Sequence, residues 1–317
     1  MMRRLLLLLP LVAATPATAH GTPSQKPFNP GTESFGVTVR HMDIDYDVFA
    51  LFALPGESVP IAVNNNRERF SLRATGGKVE TLGNNRWSWT APGHPGHYEV
   101  DLVGAGEKRV RLESFVMFPA ADVHDGLLNG YRIGHYPTLR HSRHEASYVP
   151  PRGFVEVTPA LSNVPVSPHF TLGQFLCKEA GGYPKYIVLQ PRLLLKLEAL
   201  MDYLNKLGIH ADKIHVMSGY RTPWYNAQLG NVPDSRHTLG DAADIYIDVA
   251  PRNGIMDDLN HDGRDDFGDS RLLADDVDAL FREPALDYLR GGVGAYHSTG
   301  AHGPFVHVDA RGWRARW

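Results

Sequence analysis

The sequence predicts a two-part protein, an N-terminal β-sandwich followed by an α+β domain, and three observations carry that prediction. From about residue 34 to 118, apolar and polar residues alternate in short runs broken by Gly, Asn and Pro. From about residue 169 the period becomes helical, and helices and strands alternate. Between the two, residues 119–168 are rich in Pro, Gly, His and Arg. The 317 residues, 43% of them apolar, suffice for two domains of roughly 100–200 residues and exclude general disorder.

The first segment reads as an address. Met1-Met2-Arg3-Arg4 gives a positive start, Leu5 to Val12 an apolar core, and Ala17-Thr18-Ala19 a small-residue cleavage site. Residues 1–19 are thus expected to be a signal peptide, with a mature chain that begins near His20 and is secreted or periplasmic. The apolar run falls short of the roughly 20 residues a spanning helix needs, so no transmembrane segment is expected in the mature chain. Lys plus Arg total 32 against 35 Asp plus Glu, a formal charge of -3, so no basic excess exists for nucleic acid. The single cysteine, Cys177, permits no intrachain disulfide and no multi-thiolate zinc site. Set in an apolar stretch, it reads as a small buried hydrophobe. Any metal must rely on His, Asp and Glu, and the chain has 16 histidines.

The alternating runs are Val37-Thr38-Val39-Arg40, Val59 to Val63, Trp87 to Thr90, Tyr98 to Val103 and Val110 to Leu112. Spaced by roughly 10 residues, they predict an antiparallel β-sandwich over residues 30–118. Trp89 to Gly93 leading into Gly96 to Val100 resembles the late hairpin of bacterial immunoglobulin-like domains. A wall-binding role and a plain spacer fit such a domain equally, since sandwich folds do not fix function. Residues 119–168 read as an ordered but irregular linker, and His124, His135, His141 and His144 lack the regular spacing of a metal site.

In the second part, residues 169–317, Pro191 opens a run with Leu193, Leu194, Leu197, Leu200, Met201, Leu204 and Leu207, closed by Gly208. Proline in the first turn and glycine past the end mark an amphipathic helix. Ile214 to Met217 then reads as a strand turning through Ser218-Gly219-Tyr220-Arg221 into another helix. His237 and Asp244 are separated by a loop containing Gly240 that leads into a strand from Ala242 to Asp248. Alternation in Phe305-Val306-His307-Val308-Asp309 places Phe305, His307 and Asp309 on one face and the valines in the core. Two imidazoles and a carboxylate with an open fourth position form the ligand set of a hydrolytic zinc site. Spacing alone favours satisfied core histidines over a metal site.

The larger pattern Ser235-x-His237-x-x-Gly240-x-Ala242-x-Asp244, with Ser218 to Arg221 before it and Gly291 to Gly294 and Phe305 to Asp309 after it, resembles the zinc D,D-peptidases of peptidase family M15. The likeness is to the branch of D-alanyl-D-alanine carboxypeptidases and murein endopeptidases, and runs from about His169 to Arg311. It implies that His237, Asp244 and His307 bind Zn²⁺, that Arg221 stabilises a developing oxyanion or holds a carboxylate, and that Ser235 and Asp309 orient ligand imidazoles. Several members of the family carry an acidic residue three positions before the last ligand, or a His two before it; here Pro304 and Phe305 stand there. Asp309 and His302 are the residues read as proton acceptors in their place. The resemblance implies a metallopeptidase acting on peptidoglycan stem peptides or cross-links; the signal segment adds that it is exported, and the extra sandwich domain, which could engage a polymer, favours an endopeptidase over a carboxypeptidase. A non-catalytic wall-binding scaffold is the alternative.

A second motif lies at about residues 257–270. Asp258, Asn260, Asp262, Asp266 and Asp269 fall at positions 1, 3, 5, 9 and 12 of a loop with Gly263 at 6 and the Arg264 carbonyl at 7. That is the Ca²⁺ loop of an EF-hand with Asp in the last place, as in dockerin-type loops. Leu272 to Phe281 would form the exiting helix, with no entering one. A solvated acidic loop is the alternative to this Ca²⁺ reading.

Overall fold

The computed structural model describes residues 35–317 except 66, 139–143, 210 and 250; the expected signal segment and His141 lie outside the described residues. Residues 37–116 form β1 (Val37–Val39), β2 (Met42–Ile44), β3 (Val48–Ala53), β4 (Ser58–Val63), β5 (Ser71–Ala74), β6 (Lys78–Gly83), β7 (Arg86–Thr90), β8 (Gly96–Val103) and β9 (Arg109–Val116), which take in the five alternating runs. They make two sheets, ordered β2-β1-β4-β7-β6 and β3-β9-β8-β5. The first is antiparallel throughout. The second departs from the expected antiparallel pattern, because β3 runs parallel to β9, with Val48 opposite Arg111 and Ala53 opposite Val116. All six residues of β3, Val-Phe-Ala-Leu-Phe-Ala, are buried. A strand covered on both faces has no reason to alternate, which is why the polar-apolar pattern does not reveal it.

Residues 119–168 are more regular than expected for a linker. β10 (Phe118–Pro119), β11 (Leu127–Leu128), β12 (Tyr131–Arg132), β13 (Gly153–Val157) and β14 (Pro165–Ser167) lie in or against this segment, followed by β15 (Phe170–Thr171) and β16 (Lys185–Ile187). β13 pairs with both β10 and β16, and β14 packs against β3. Phe154, Val155, Val157 and Val166 are buried in an apolar core that continues from the N-terminal sheets into the C-terminal part. The prolines bound short strands here, as they do at strand ends and edges, and do not prevent them.

Helix α1 (Pro191–Lys206) forms where the leucine period predicts it, with Pro191 at its start and Gly208 beyond its end at φ +85°. Its buried face also carries a cation. Lys196 Nζ donates to the carbonyls of Asp309 (2.8 Å) and Leu289 (3.2 Å) and lies 4.3 Å from the Phe281 ring centroid. Burial pushes its pKa down to about 8, against the pull of Asp309. Between that value and the unfolded value of 10.5, the unfolded chain holds more protons than the folded one. Stability is therefore expected to rise with pH across this window, by about 3 kcal/mol in total. Urea midpoints for wild type and Lys196→Met at several pH values from 8 to 10.5 check this, since only the wild type should gain; parallel slopes would refute it.

The remaining elements are β17 (His215–Ser218), α2 (Pro223–Gln228), β18 (Ala242–Tyr246), α3 (Phe267–Leu280), β19 (Gly292–Tyr296), β20 (Phe305–Asp309) and β21 (Ala315–Arg316). Their sheet has the order β17-β18-β20-β19-β21, with β20 in the centre. All five residues of β20 are buried, so the alternation does not mark one face as wet. Val306 and Val308 join Leu273 and Val277 of α3 in the core. On the opposite face Phe305 stacks on Tyr296 at 4.7 Å between centroids, His307 lies beside Trp317, and Arg311 covers Asp309.

Candidate metal centre

Strand register brings the expected ligands together. Asp244 of β18 stands opposite His307 of β20, and Ser218 of β17 opposite Asp244. His237 arrives from a 3₁₀ turn, Arg236–Leu239, that ends at Gly240 with φ +72°. A Cβ on Gly240 would sit 2.4 Å from the Val188 carbonyl oxygen, so both the left-handed backbone and the close approach require glycine. Arg236 braces the turn by pairing both carboxylate oxygens of Asp241.

Three donor atoms converge. His237 Nε2 lies 3.2 Å from Asp244 Oδ1 and 3.1 Å from His307 Nδ1, and the latter two atoms are 3.0 Å apart. Tetrahedral zinc with bonds of about 2.0–2.1 Å holds its ligands roughly 3.3 Å apart, close to this triangle. Among the described residues, this is the one group of three His, Cys, Asp or Glu donors near enough to share an ion, and all three residues are buried.

The hydrogen bonds behind the ligands fix their tautomers. His237 Nδ1 faces the Gly219 carbonyl at 2.7 Å, and a carbonyl can only accept, so Nδ1 carries the proton and Nε2 presents its lone pair to the triangle. His307 Nε2 faces Asp309 Oδ2 at 3.2 Å, which leaves His307 Nδ1 as the inward lone pair. Burial lowers the pKa of His237. Burial likewise opposes charge on Asp244 and on His307, but their mutual contact wins: the imidazoles hold the Asp244 carboxyl well below the usual range, and Asp244 with Asp309 pushes His307 up to about 9. Such a set favours positive charge at its centre, and a metal taking it up would displace the His307 proton.

Gly219 performs the role expected of Ser235. Ser235 precedes the 3₁₀ turn and lines the cleft, but the carbonyl that holds His237 comes from Gly219. Glycine is needed there because a Cβ would fall 2.6 Å from Phe175 Cα. No sequence spacing announces a backbone carbonyl, although the Ser218-Gly219-Tyr220-Arg221 turn points to the place. Arg221 donates through Nε to Ser218 Oγ (3.0 Å) and through Nη2 to Asp244 Oδ2, so it grips the outer oxygen of a ligand carboxylate and leaves Oδ1 for the triangle.

The two expected proton acceptors separate. Asp309 is fully buried; its oxygens take the His307 imidazole, the Arg311 guanidinium and the Gly292 N–H. It stands behind His307 as an orienting group and does not face the cleft. His302 does line the cleft. Its Nδ1 donates to the Gly303 carbonyl at 2.9 Å and its ring meets Phe305 edge-on, so in the neutral ring Nε2 is an acceptor.

The cleft around the triangle has a volume of about 810 Å³. Tyr148 and Arg236 line one part of it, Tyr296, His297 and Trp317 another. Tyr148 belongs to the segment expected to be a linker and is held by Arg236, whose Nη1 donates to the Ser147 carbonyl and whose guanidinium lies over the Tyr148 ring at 4.9 Å.

The acidic loop is closed by hydrogen bonds from its own backbone to its side chains. Asp258 accepts from the backbone N–H groups of Asp262 and Gly263, Asn260 from Asp262, and Asp262 from Arg264. Asp269 accepts from Leu259, Asn260 and Asp266, and with Asp266 forms the capping box of α3. Gly263 has φ +85°. Among the described residues no helix lies between β18 and the loop. Cys177 is buried, also as expected, and no described helix is long and apolar enough to cross a membrane.

Comparison with known families agrees with this geometry. No curated protein matches the chain. Residues 168–272, from just before β15 into the first turns of α3, match the family described as Peptidase M15, whose members are zinc-dependent. The match contains His237 and Asp244 and stops before His307, which the fold supplies from β20. Over these residues the chain carries the signature of the M15 peptidase family.

Proposed function

We propose that the chain is an exported zinc metallopeptidase that hydrolyses peptide bonds in peptidoglycan, favouring cross-links over terminal residues. The observation that carries the zinc reading is the convergence of His237 Nε2, His307 Nδ1 and Asp244 Oδ1, with the outer ring nitrogens held by the Gly219 carbonyl and the Asp309 carboxylate. Bound there, zinc would supply Lewis acidity toward a scissile carbonyl and toward water. His237, Asp244 and His307 hold it; Gly219, Arg221 and Asp309 keep those ligands aimed; His302 accepts a proton at Nε2.

Charge pairing supports the endopeptidase preference. Three arginines line the cleft, and each already meets an aspartate: Arg221 with Asp244, Arg236 with Asp241, Arg311 with Asp309. A carboxypeptidase needs a cation to grip the substrate's terminal carboxylate, and these three are engaged. The two N-terminal sheets bury Trp89 and Ile61 from one and Val100, Leu102 and Leu112 from the other, which supports an immunoglobulin-like sandwich as an added module for the polymer.

The test incubates the mature chain with muropeptide dimers, with and without zinc chelation. Chelator-sensitive conversion of dimers to monomers is expected. Loss of a terminal alanine alone would reassign the enzyme as a carboxypeptidase, and no cleavage under any metal condition would reject the peptidase reading.

The acidic loop is read as a Ca²⁺ site that fixes the start of α3. Calcium at about 100 times its dissociation constant should stabilise the fold by about 2.7 kcal/mol and raise the melting temperature by roughly 5 °C. Asp262→Ala should abolish the shift; a shift that survives it would place calcium elsewhere.

A further inference from the structure

Trp317 is placed against the metal centre by the sheet itself. β21 pairs in parallel with β19, Gly292 opposite Ala315 and Val293 opposite Arg316, and the same register carries Trp317 alongside Gly294. Arg316 anchors the strand to α3 through the Ala274 carbonyl and the Asp275 carboxylate. The indole lies flat enough on Gly294 that a Cβ there would fall 2.3 Å from its Nε1. Trp317 Nε1 donates to Tyr296 Oη at 2.6 Å, and Tyr296 is fixed in turn by stacking on Phe305 and by Ser270 Oγ bonding to its carbonyl.

The indole is half exposed and its ring stands 5.3 Å from that of His307. It lines the metal-centre cleft and also a second groove of about 440 Å³, formed with Phe267, Arg271, Ala274, Asp275, Ala295 and Arg316 along α3. One side chain therefore stands between the two spaces. We infer that Trp317 is a partition that sets the size of group accepted beside His307, and that Gly294 is the cradle that keeps the indole out of the cleft. The inference rests on the zinc peptidase reading: the group excluded would be a branch or bulky side chain on the peptide next to the bond being cut. Removing the indole joins the cleft to the groove over α3, whereas adding a methyl at position 294 pushes the indole toward the metal.

The partition is tested by binding, with zinc-loaded full chain titrated calorimetrically with acetohydroxamate and with 1-naphthohydroxamate, a small and a bulky metal-binding probe. Trp317→Ala should improve the bulky probe relative to the small one by about tenfold, the scale on which an apolar pocket discriminates. Gly294→Ala should shift the ratio the other way. Trp317→Phe, which keeps a ring but loses the bond to Tyr296, should fall between wild type and Trp317→Ala, so the series stays informative if one variant folds poorly. Probe binding with the same ratio in all four proteins would overturn the partition alone. Failure of the wild type to hold zinc or either probe would overturn the metallopeptidase reading and the partition with it.

Discussion

Replacing His307 with alanine should abolish peptide hydrolysis and zinc retention while the chain stays folded. Zinc contributes several kcal/mol of charge stabilisation to such a reaction, which at about 1.4 kcal/mol per decade is a loss of at least about a thousandfold. Folding should survive because the groups around the removed ring keep other partners. Asp309 retains Arg311 and the Gly292 N–H, and Asp244 retains His237 and Arg221. Asp309→Asn makes a graded comparison. Its oxygen can still accept from His307, but the charge that aims the ring is gone, so metal affinity should fall about 10- to 100-fold with measurable activity remaining when zinc is in excess. Zinc content after dialysis, circular dichroism and hydrolysis of muropeptide dimers separate the two variants. A His307→Ala protein that keeps both zinc and turnover would remove β20 from the metal centre.

The three candidate ligands are legible in the sequence because their chemistry is local to short, strongly marked segments. Gly240 flags the turn that returns His237 toward Asp244, and the Phe305 to Asp309 strand carries its histidine in mid-run. What brings them together is register, Asp244 opposite His307, and register depends on strand partners far apart in sequence. The helix α1 was legible for the same reason as the ligands, since its period and its Pro and Gly ends are local. The missed features all depend on tertiary surroundings. β3 is apolar on both faces and so lacks alternation. The strands of residues 119–168 are only two to five residues long and sit between prolines and glycines that suggest irregular chain. The Gly219 carbonyl, the buried Lys196 and the indole of Trp317 act through contacts with segments 18 or more residues away, and no spacing rule reaches them. The acidic loop shows the reverse: every partner of its hydrogen bonds lies within the loop and the first turn of α3, so its spacing is visible in a short stretch of sequence.

Arg221 separates two roles that the sequence motif leaves merged. The motif points to a guanidinium near the reacting carbonyl; the structure places its Nη2 on Asp244 Oδ2 and its Nε on Ser218 Oγ. With Oδ2 held, Oδ1 is the oxygen left to face both imidazoles. Arg221→Ala would leave a buried carboxylate oxygen without its cation, free the carboxylate to rotate, and weaken the metal as well as the reaction. The expected result is a fall of about 10- to 100-fold in zinc affinity together with a drop of about 10²- to 10³-fold in kcat/KM. Arg221→Lys should recover little, because an ammonium is a single point that can meet Asp244 or Ser218 but cannot span both as the planar fork does. Competition dialysis against a chelator measures the first quantity, and steady-state hydrolysis at saturating zinc measures the second. If Arg221 acted on the substrate alone, kcat would fall with zinc affinity unchanged, and that outcome would assign the residue to the oxyanion and not to Asp244. If it acted only through Asp244, saturating zinc would restore most of kcat. A loss in both that zinc cannot fully repair is what a guanidinium lining the cleft and bound to a ligand should produce, since the same group shapes the metal's charge and the surface the carbonyl meets.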